Sequence, residues 1–238
     1  MNILSLDSST ESASCAVVSD EKLYGEITFN YKKQHSKILM PMVDRLLESV
    51  GMSIGDMDGF VVSRGPGSFT GLRIGAAVVK GLSQGTGKPF AAVSSLDALA
   101  YNMAYTKGLV CPMIDALRGN VYTAVYEFED TEIKRVSEYM MISVEELIER
   151  LKVKKQKVCF IGDGLVKYKS DIVSCASEIA RFAPLHLNIV RASSLGEIGM
   201  GLIKKGICDD IYSFAPMYLR KSQAEREYDM KAKLKDHE

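Results

Sequence analysis

A glycine-rich run is the strongest local signal for chemistry in this sequence. Within residues 63–75, Gly65 and Gly67 flank a proline, and Gly71 and Gly75 follow at helical spacing. Glycines permit sharp backbone turns, and amides at a helix N-terminus attract anions, so this run is a candidate phosphate cradle. It lacks the Gly-Lys-Ser/Thr ending of a Walker A motif. The alternative is a tight turn followed by a helix that packs unusually close to its neighbour.

A short acidic and hydroxyl segment is the second candidate. Asp7 and Ser8 directly follow the first predicted strand. This arrangement resembles that of actin-like ATPases and sugar kinases, in which an acidic residue at this place faces a metal-bound phosphate. An Asx-type turn explains the same residues. Both interpretations stay open, and the predicted anion or nucleotide contacts are Asp7, Ser8, Gly65 and Gly67.

The residue pattern predicts neither a metal site nor a nucleophilic triad. The three histidines, His35, His186 and His237, have no spacing that places two of them on one helix face. No Ser-His-Asp set can be assembled without arbitrary choices. The five cysteines are dispersed, with no Cys-x-x-Cys pair, which is typical of reduced thiols in a cytoplasmic protein.

Alternating and helical apolar spacing predicts an α/β chain around these residues. The first half has the order βββαβαβα, which favours a mixed sheet covered by helices. Its strands are predicted at residues 3–6, 14–18, 23–29, 59–62 and 90–93, and its helices at 34–50, 70–84 and 95–105. We predict two lobes, residues 1–106 and 107–219, followed by a charged tail over 220–238.

Several local features of these elements are also predicted. Ser36 is the expected N-cap of the first long helix, and Pro41 is expected to kink that helix. In the second half, strands are predicted at residues 110–114, 120–127 and 157–161. The capping-box pattern Ser143-Val-Glu-Glu146 predicts a helix that begins there, and Ser194-Leu-Gly-Glu197 is expected to open a last amphipathic helix. Asp115 and Arg118 flank a turn and are either a functional pair or, as we expect, an ion pair that stabilises the turn.

Composition excludes some classes of protein. The 238-residue chain has 30 basic and 30 acidic residues, so its overall charge makes no case for binding nucleic acid unaided. Uninterrupted apolar runs of roughly 18 residues are absent, so no membrane span is expected. The N-terminal residues are predicted to form a strand rather than a signal peptide. We therefore expect a cytoplasmic globular protein.

A resemblance to one known family covers nearly the whole chain. The run Ser63-Arg-Gly-Pro-Gly-Ser-Phe-Thr-Gly-Leu-Arg-Ile-Gly75 resembles the signature of the bacterial TsaB (YeaZ) proteins. Further matches lie in the first strand, in His35-Ser36, in Val93-Ser-Ser-Leu-Asp-Ala-Leu99 and near the C-terminus, in Ala215-Pro-Met-Tyr-Leu-Arg220 and Gln223-Ala-Glu225. The resemblance implies an actin-like, two-lobed fold.

The same resemblance implies a function and partners. TsaB proteins serve the formation of N6-threonylcarbamoyladenosine beside the anticodon of tRNAs that read codons starting with A. The resemblance implies binding to the catalytic subunit TsaD and, with it, to the ATPase TsaE, and contact with tRNA only through that complex. ATP or ADP and a metal would belong to the partner complex, with no cofactor bound by this chain alone.

One comparison with TsaD addresses catalysis. TsaD is a homologue that carries its metal on a His-x-x-x-His pair at the start of a helix, and that pair aligns by pattern with Ser95 and Leu99 here. Imidazoles four residues apart can chelate one metal, whereas a hydroxyl and an isobutyl group cannot. Ser94 and Asp97 are instead expected to form a capping box. The resemblance therefore implies a subunit without catalytic residues.

The two helices of the first half are the predicted partner surface. Their apolar and glycine positions are expected to face TsaD, or a second copy of the chain as a homodimer when TsaD is absent. The predicted interface residues are Ile38, Leu39, Met42, Leu46, Gly71, Leu72, Gly75, Val78 and Leu82.

Two alternatives of a different class stay open. An ATP-dependent kinase or acyl-transfer enzyme of the actin-like superfamily would need a phosphate loop in the second half, where Gly162-Asp-Gly164 is the only weak candidate. A glycoprotease-like metallopeptidase would need the histidine ligands that the pattern lacks.

Overall fold

The structure of the protein, a computed structural model, describes residues 1–31 and 34–220. The predicted charged tail therefore lies outside the described residues except for Arg220, as does the Gln223-Ala-Glu225 motif. Six helices and twelve strands are formed by the described residues, apart from two single-turn 3₁₀ segments. The strands are β1 (Asn2–Asp7), β2 (Ala13–Ser19), β3 (Leu23–Phe29), β4 (Gly59–Gly65), β5 (Phe90–Ser94), β6 (Leu109–Asp115), β7 (Asn120–Thr123), β8 (Tyr126–Glu129), β9 (Glu132–Arg135), β10 (Met140–Ser143), β11 (Val158–Ile161) and β12 (Ala180–Phe182). The helices are α1 (His35–Val50), α2 (Phe69–Thr86), α3 (Ser95–Tyr101), α4 (Val144–Lys152), α5 (Leu165–Ala176) and α6 (Ala192–Lys204).

Two sheets repeat one topology. The first has the order β3-β2-β1-β4-β5, with antiparallel pairs among β1, β2 and β3 and parallel pairs from β1 through β4 to β5. The second has the order β10-β7-β6-β11-β12 with the same sequence of strand directions, and β8 and β9 extend it beside β6. The chain is thus built from two versions of one α/β unit, which confirms the predicted mixed-sheet architecture.

Three apolar cores hold these layers together. Alternate residues of β1 face opposite sides, as the period of two in a strand requires, so Ile3 and Leu4 enter different cores. One outer core lies between the first sheet and helices α1 and α2, and the other lies between the second sheet and helices α4 and α5. The central core joins both sheets through α3 and α6.

The last helix departs from the predicted lobe division. The sequence pattern predicts that all of residues 107–219 belong to the second lobe. In the structure, α6 packs across β1, β2, β4 and β5 of the first sheet. Gly196 and Gly199 permit this approach, because a Cβ at Gly199 would lie 2.3 Å from a methyl carbon of Val61. The boundary near residue 106 stays a prediction, but the segment that contains α6 returns to the first sheet.

A tertiary contact explains where α6 begins. The helix predicted to open at Ser194 begins two residues earlier, at Ala192, because its first amides are bound by side chains of the first sheet. Ser14 Oγ accepts from the Ala192 amide at 3.1 Å, and Glu26 Oε1 accepts from the Ser193 amide at 3.0 Å. The buried Glu26 carboxylate also accepts from Arg191 Nε at 2.9 Å. An acid at a helix N-terminus is favoured by the helix dipole as well.

Other local predictions require correction. The N-cap of α1 is Gln34, without a side-chain cap bond, so Ser36 lies inside the first turn rather than capping it. Pro41 lies inside α1, as predicted, and the kink expected there stays a prediction. The strand predicted over residues 120–127 is divided into β7 and β8. Ser143 does cap α4, where its hydroxyl accepts from the Glu146 amide at 3.2 Å.

Candidate functional site

The glycine turn between β4 and α2 is filled by the protein's own backbone. The carbonyl of Ser9 accepts from the Ser68 amide at 2.7 Å. A Cβ at Gly67 would lie only 2.1 Å from that carbonyl oxygen, and a Cβ at Gly71 only 1.9 Å from the carbonyl oxygen of Ser8. Real Cβ atoms do not approach so closely, so both positions require glycine. This geometry is that of the close-packing alternative, and the Ser68 amide that would meet an anion is already bound.

Gly65 and Gly75 have similar reasons for lacking a side chain. Gly65 has a φ of +103° and lies against the carbonyl oxygen of Met217, which a Cβ would approach to 2.8 Å. A Cβ at Gly75 would lie 2.8 Å from Ser8 Oγ. That hydroxyl donates to the Gly71 carbonyl at 2.9 Å. Ser8 is therefore a packing residue between β1 and α2 in this structure.

Asp7 is a buried carboxyl with an unused oxygen. Its Oδ1 accepts from the Ser9 amide at 3.2 Å, which is the Asx-type contact that the sequence left as an alternative. In the described part of the chain its Oδ2 has no hydrogen-bond partner, and neither do the hydroxyls of Ser9 and Ser63. Burial raises the pKa of Asp7 to about 7, and the nearby charge of Asp163 adds to that increase.

The second lobe places two more acids at the corresponding strand ends. Asp163 Oδ1 accepts from the Asp115 amide at 3.0 Å, and burial raises the pKa of Asp163 to about 6. Asp115 forms an ion pair with Lys167, so the predicted pair with Arg118 is wrong. Arg118 has a φ of +57° in the turn after β6, and its carbonyl accepts from Asn120.

The Gly162-Asp-Gly164 turn, which the kinase alternative would need as a phosphate loop, is also filled by the protein's own backbone. A Cβ at Gly162 would lie 2.3 Å from the carbonyl oxygen of Met113, and the Gly164 amide donates to the same oxygen at 3.0 Å. The strand ends of both lobes therefore present carboxyls beside filled glycine turns. Acidic groups repel a phosphate unless a cation lies between them.

Ser95 and Leu99, which the sequence pattern aligns with the TsaD metal ligands, are part of the core. Ser95 is completely buried and its hydroxyl donates to the Pro66 carbonyl at 2.5 Å, while Leu99 packs in the central core. Neither side chain fits a metal, because one hydroxyl is already bonded and the other group is a hydrocarbon. Over residues 1–31 and 34–220, no group of three or more His, Cys, Asp or Glu side chains is arranged to hold a metal ion.

Asp97 serves a different role from the predicted one. Ser94 caps α3 by accepting from the Leu96 amide at 3.2 Å, but Asp97 does not complete a capping box. It instead accepts from the hydroxyls of Tyr126 and Tyr139, at 2.7 and 2.8 Å, and so ties α3 to the second lobe. Burial raises the pKa values of all three groups, that of Tyr139 to about 12. A groove of about 430 Å³, lined in part by Arg64, opens beside this carboxylate.

Sequence reasoning missed this cluster because nothing local marks it. The two tyrosines lie 29 and 42 residues from Asp97. Only the packing of the two lobes brings them together.

Most of the predicted partner residues face the protein's own core. Six of the nine are buried beneath α1 and α2: Leu39, Met42, Leu46, Gly71, Leu72 and Gly75. They cannot contact a partner while α1 and α2 are packed on the first sheet. The prediction that these six residues contact a partner is therefore corrected. Ile38, Val78 and Leu82 are partly exposed and pack at the margin of the same core. Whether the two helices form an interface stays a prediction.

The outward face of α2 is built differently from its buried face. It consists of Thr70, Arg73, Ala77, Gly81, Gln84 and Gly85, all of which are exposed. A Cβ at Gly81 or Gly85 would have no heavy atom within 4 Å. Gly71 and Gly75 are thus explained by contacts within the chain, whereas Gly81 and Gly85 are not.

Comparison with known proteins identifies the family. A family model described as TsaD, tRNA N6-adenosine threonylcarbamoyltransferase, matches residues 22–228. The chain is 32% identical to "tRNA threonylcarbamoyladenosine biosynthesis protein TsaB" of Bacillus subtilis (strain 168), over 96% of this chain and 98% of that protein. The chain belongs to the TsaB family. This confirms the resemblance found in the sequence motifs.

Solved structures support the same assignment and the fold. YeaZ from Pseudomonas aeruginosa, 26% identical, covers 92% of this chain with a TM-score of 0.74, and 99% of that structure is matched. A ROK hexokinase from Thermus thermophilus, 11% identical, covers 87% of this chain with a TM-score of 0.50, and all of that structure is matched. The hexokinase shows only the shared fold, which is actin-like, as the TsaB resemblance implied. Across the described residues, none of the helices has the length and apolar character needed to cross a membrane.

Proposed function

We propose that this chain is a non-catalytic subunit required to form N6-threonylcarbamoyladenosine in tRNA. It binds a TsaD-type catalytic subunit and, with it, a TsaE-type ATPase, and it meets tRNA only through that assembly. The observation that carries the proposal is the near full-length match to TsaB of B. subtilis. The TsaD-type metal-ligand positions support it, because here they are a bonded serine and a core leucine.

The proposal also assigns cofactors. ATP or ADP and the metal belong to the partner complex, and this chain alone binds none of them. The filled glycine turns in both lobes favour this assignment over a kinase or acyl-transfer enzyme, because their amides and carbonyls bond to each other. The bonded Ser95 and apolar Leu99 likewise give no support to a metallopeptidase.

The outward face of α2 is the proposed partner surface, in place of the buried residues first predicted. Ala77 and Gly81 lie one helical turn apart and expose the backbone, so a second helix can approach closely. Glycine in a helix interior costs about 1 kcal/mol relative to alanine. No contact within the described residues requires a glycine at position 81. Close packing of a partner helix would require one. In the absence of TsaD, the same face pairs two copies of the chain.

A reconstitution assay tests the proposal. Purified TsaD and TsaE from the same organism would be incubated with tRNA, threonine, bicarbonate, ATP and the enzyme that makes the activated intermediate, with and without this chain. We expect the modified nucleoside only when the chain is present. Full-rate modification in its absence would refute the essential role.

Two matched variants then test the surface. Gly81→Arg places a large charged side chain on the outward face of α2, and we expect loss of TsaD binding and of modification. Val166→Arg is the control, because Val166 lies on α5 in the second lobe and is 90% exposed. Equal TsaD binding by the two folded variants would refute the α2 surface but not the function.

A further inference from the structure

One exposed arginine on the outward face of α2 is held in a fixed orientation. The rings of Phe69 and Tyr218 are stacked, with centroids 4.1 Å apart and planes within 6° of parallel. The guanidinium carbon of Arg73 lies 5.5 Å from the Phe69 centroid and 5.8 Å from the Tyr218 centroid. Arg73 Nε also donates to the Tyr218 hydroxyl at 3.2 Å. An arginine on a helix surface otherwise samples many rotamers, so these contacts orient it in advance.

The stack depends on a segment distant in sequence. Tyr218 belongs to residues 207–220, in which Asp209 bonds to Phe90 and Ala92 of β5 and Tyr218 reaches Phe69 at the start of α2. The Met217 amide donates to the Arg64 carbonyl at 2.7 Å, and Arg220 Nη1 donates to the Ala116 carbonyl of the second lobe at 2.7 Å. Bonds on both sides of Tyr218 thus place its ring beside Phe69.

Arg73 is oriented but not neutralised. Its two terminal nitrogens have no acceptor, and no carboxylate pairs with it, within residues 1–31 and 34–220. Two other exposed helix arginines, Arg45 and Arg150, each pair with a glutamate of their own helix. A planar guanidinium with both terminal nitrogens unused is suited to bind a carboxylate or phosphate through two parallel hydrogen bonds.

The surroundings of Arg73 favour a protein carboxylate over a nucleic-acid phosphate. The only other charged residue of α2 is Lys80, whose amine donates to the Phe214 carbonyl. The remaining outward residues are uncharged, and Ala77 and Gly81 among them are small. Nucleic-acid surfaces collect several cations, whereas a single fixed arginine beside small residues on a helix face suits one acidic side chain on a packed helix.

We propose that Arg73, held by Phe69 and Tyr218, is the anchor that binds an aspartate or glutamate of the catalytic partner at the α2 surface. The inference rests on the proposed function, because it assumes that the partner binds this face. Tyr218 is a positioning residue, since it acts through Arg73. The C-terminal segment that carries Tyr218 thereby contributes to partner binding although it lies outside the two predicted interface helices.

Calorimetric titration of the full-length chain with the isolated TsaD-type subunit, at 50 and 300 mM salt, tests this anchor. We expect Arg73→Ala to weaken binding about tenfold and to reduce its salt dependence. We expect Arg73→Lys to recover little, because an ammonium cannot form the two-bond contact. Tyr218→Ala should weaken binding about as much as Arg73→Lys, whereas Tyr218→Phe keeps the ring and should stay within about threefold of wild type. Arg150→Ala, which removes an exposed helix arginine of α4 in the second lobe, is the control and should bind as wild type does.

The outcomes separate the two proposals. If wild type binds the partner and a folded Arg73→Ala binds it equally well, the anchor is refuted and the proposed function stands. If wild type does not bind the partner, both proposals fail. If Arg73→Ala lowers only the affinity of the assembled complex for tRNA, the carboxylate assignment is wrong and the ligand is a phosphate.

Discussion

The same substitution at two positions of α2 should change stability in opposite directions. At Gly71 a new Cβ would lie 1.9 Å from the carbonyl oxygen of Ser8, which is backbone and cannot rotate away. At Gly81 a new Cβ would have no heavy atom within 4 Å. Gly71→Ala and Gly81→Ala thus add the same methyl group to the same helix, in one case against the Ser8 backbone and in the other into solvent.

The expected magnitudes follow from these distances. Non-bonded heavy atoms prefer separations of about 3.5 Å, so at Gly71 the helix or the Ser8 loop must move by roughly 1.5 Å. Overpacking of this kind costs about 1–3 kcal/mol, and the buried Ser8–Gly71 hydrogen bond weakens as the two segments separate. Replacing glycine by alanine in a helix stabilises by up to about 1 kcal/mol. We therefore expect Gly71→Ala to lose about 2 kcal/mol and Gly81→Ala to gain about 1 kcal/mol.

Urea unfolding followed by circular dichroism measures this difference. For a chain of this length, 1 kcal/mol corresponds to about 2–4 °C in melting temperature, which provides a second readout. Two protein concentrations should be compared, because self-association would itself stabilise the folded state. If the two variants have equal unfolding free energies, the close approach of Ser8 to α2 is wrong. If Gly81→Ala is destabilising, Gly81 has a conformational role that its surroundings do not reveal.

Three further predictions concern buried polar groups. Burial raises the pKa of Asp7 to about 7, so between pH 4 and 7 the native state holds a proton that the unfolded chain has lost. The free energy of unfolding should therefore fall as pH rises through this window, by up to about 1.4 kcal/mol per pH unit. Asp7→Asn should remove this contribution to the pH dependence, measured by urea unfolding at several pH values. An unchanged pH dependence would contradict the raised pKa. Glu26→Ala should lower the unfolding free energy by about 2 kcal/mol, because the Ser193 amide at the start of α6 and the partly exposed Arg191 guanidinium lose their acceptor. The exposed Glu48→Ala should change it little. Tyr139→Phe should cost about 1–2 kcal/mol by thermal unfolding, because the buried Asp97 carboxylate loses one of its two tyrosine donors, and no loss would mean that water replaces it.

Several features of the fold and site were open to prediction because their causes are local. The order of strands and helices in the first half follows from apolar periodicity, and the glycine turn follows from glycines between a strand and a helix. The family motifs extend over nearly the whole sequence, and the comparisons confirm the family that they indicated. The unsuitability of Ser95 and Leu99 as metal ligands can be read from the sequence, because a hydroxyl and an isobutyl group lack the required chemistry.

The partner surface shows what a pattern cannot settle. An apolar stripe on a helix indicates that one face is buried, but it does not identify what that face packs against. For Leu39, Met42 and Leu46 the packing partner is the first sheet of the same chain. The glycines of α2 are equivalent in sequence, yet Gly71 faces a backbone carbonyl and Gly81 faces solvent.

The sequence by itself determined the family, the α/β class and the absence of a histidine pair, since each depends on residue types at short spacings. The tertiary structure alone decided which side chains meet across long spacings. Glu26 of β3 binds the start of α6, the Asp97 carboxylate binds two tyrosines of the second lobe, and Tyr218 stacks on Phe69. Each of these contacts joins segments whose separation along the chain is set by loops and lobe packing. The same reason applies to the glycine run of residues 63–75: its residues predict a turn, but only the positions of the Ser8 and Ser9 carbonyls reveal that the turn is already filled.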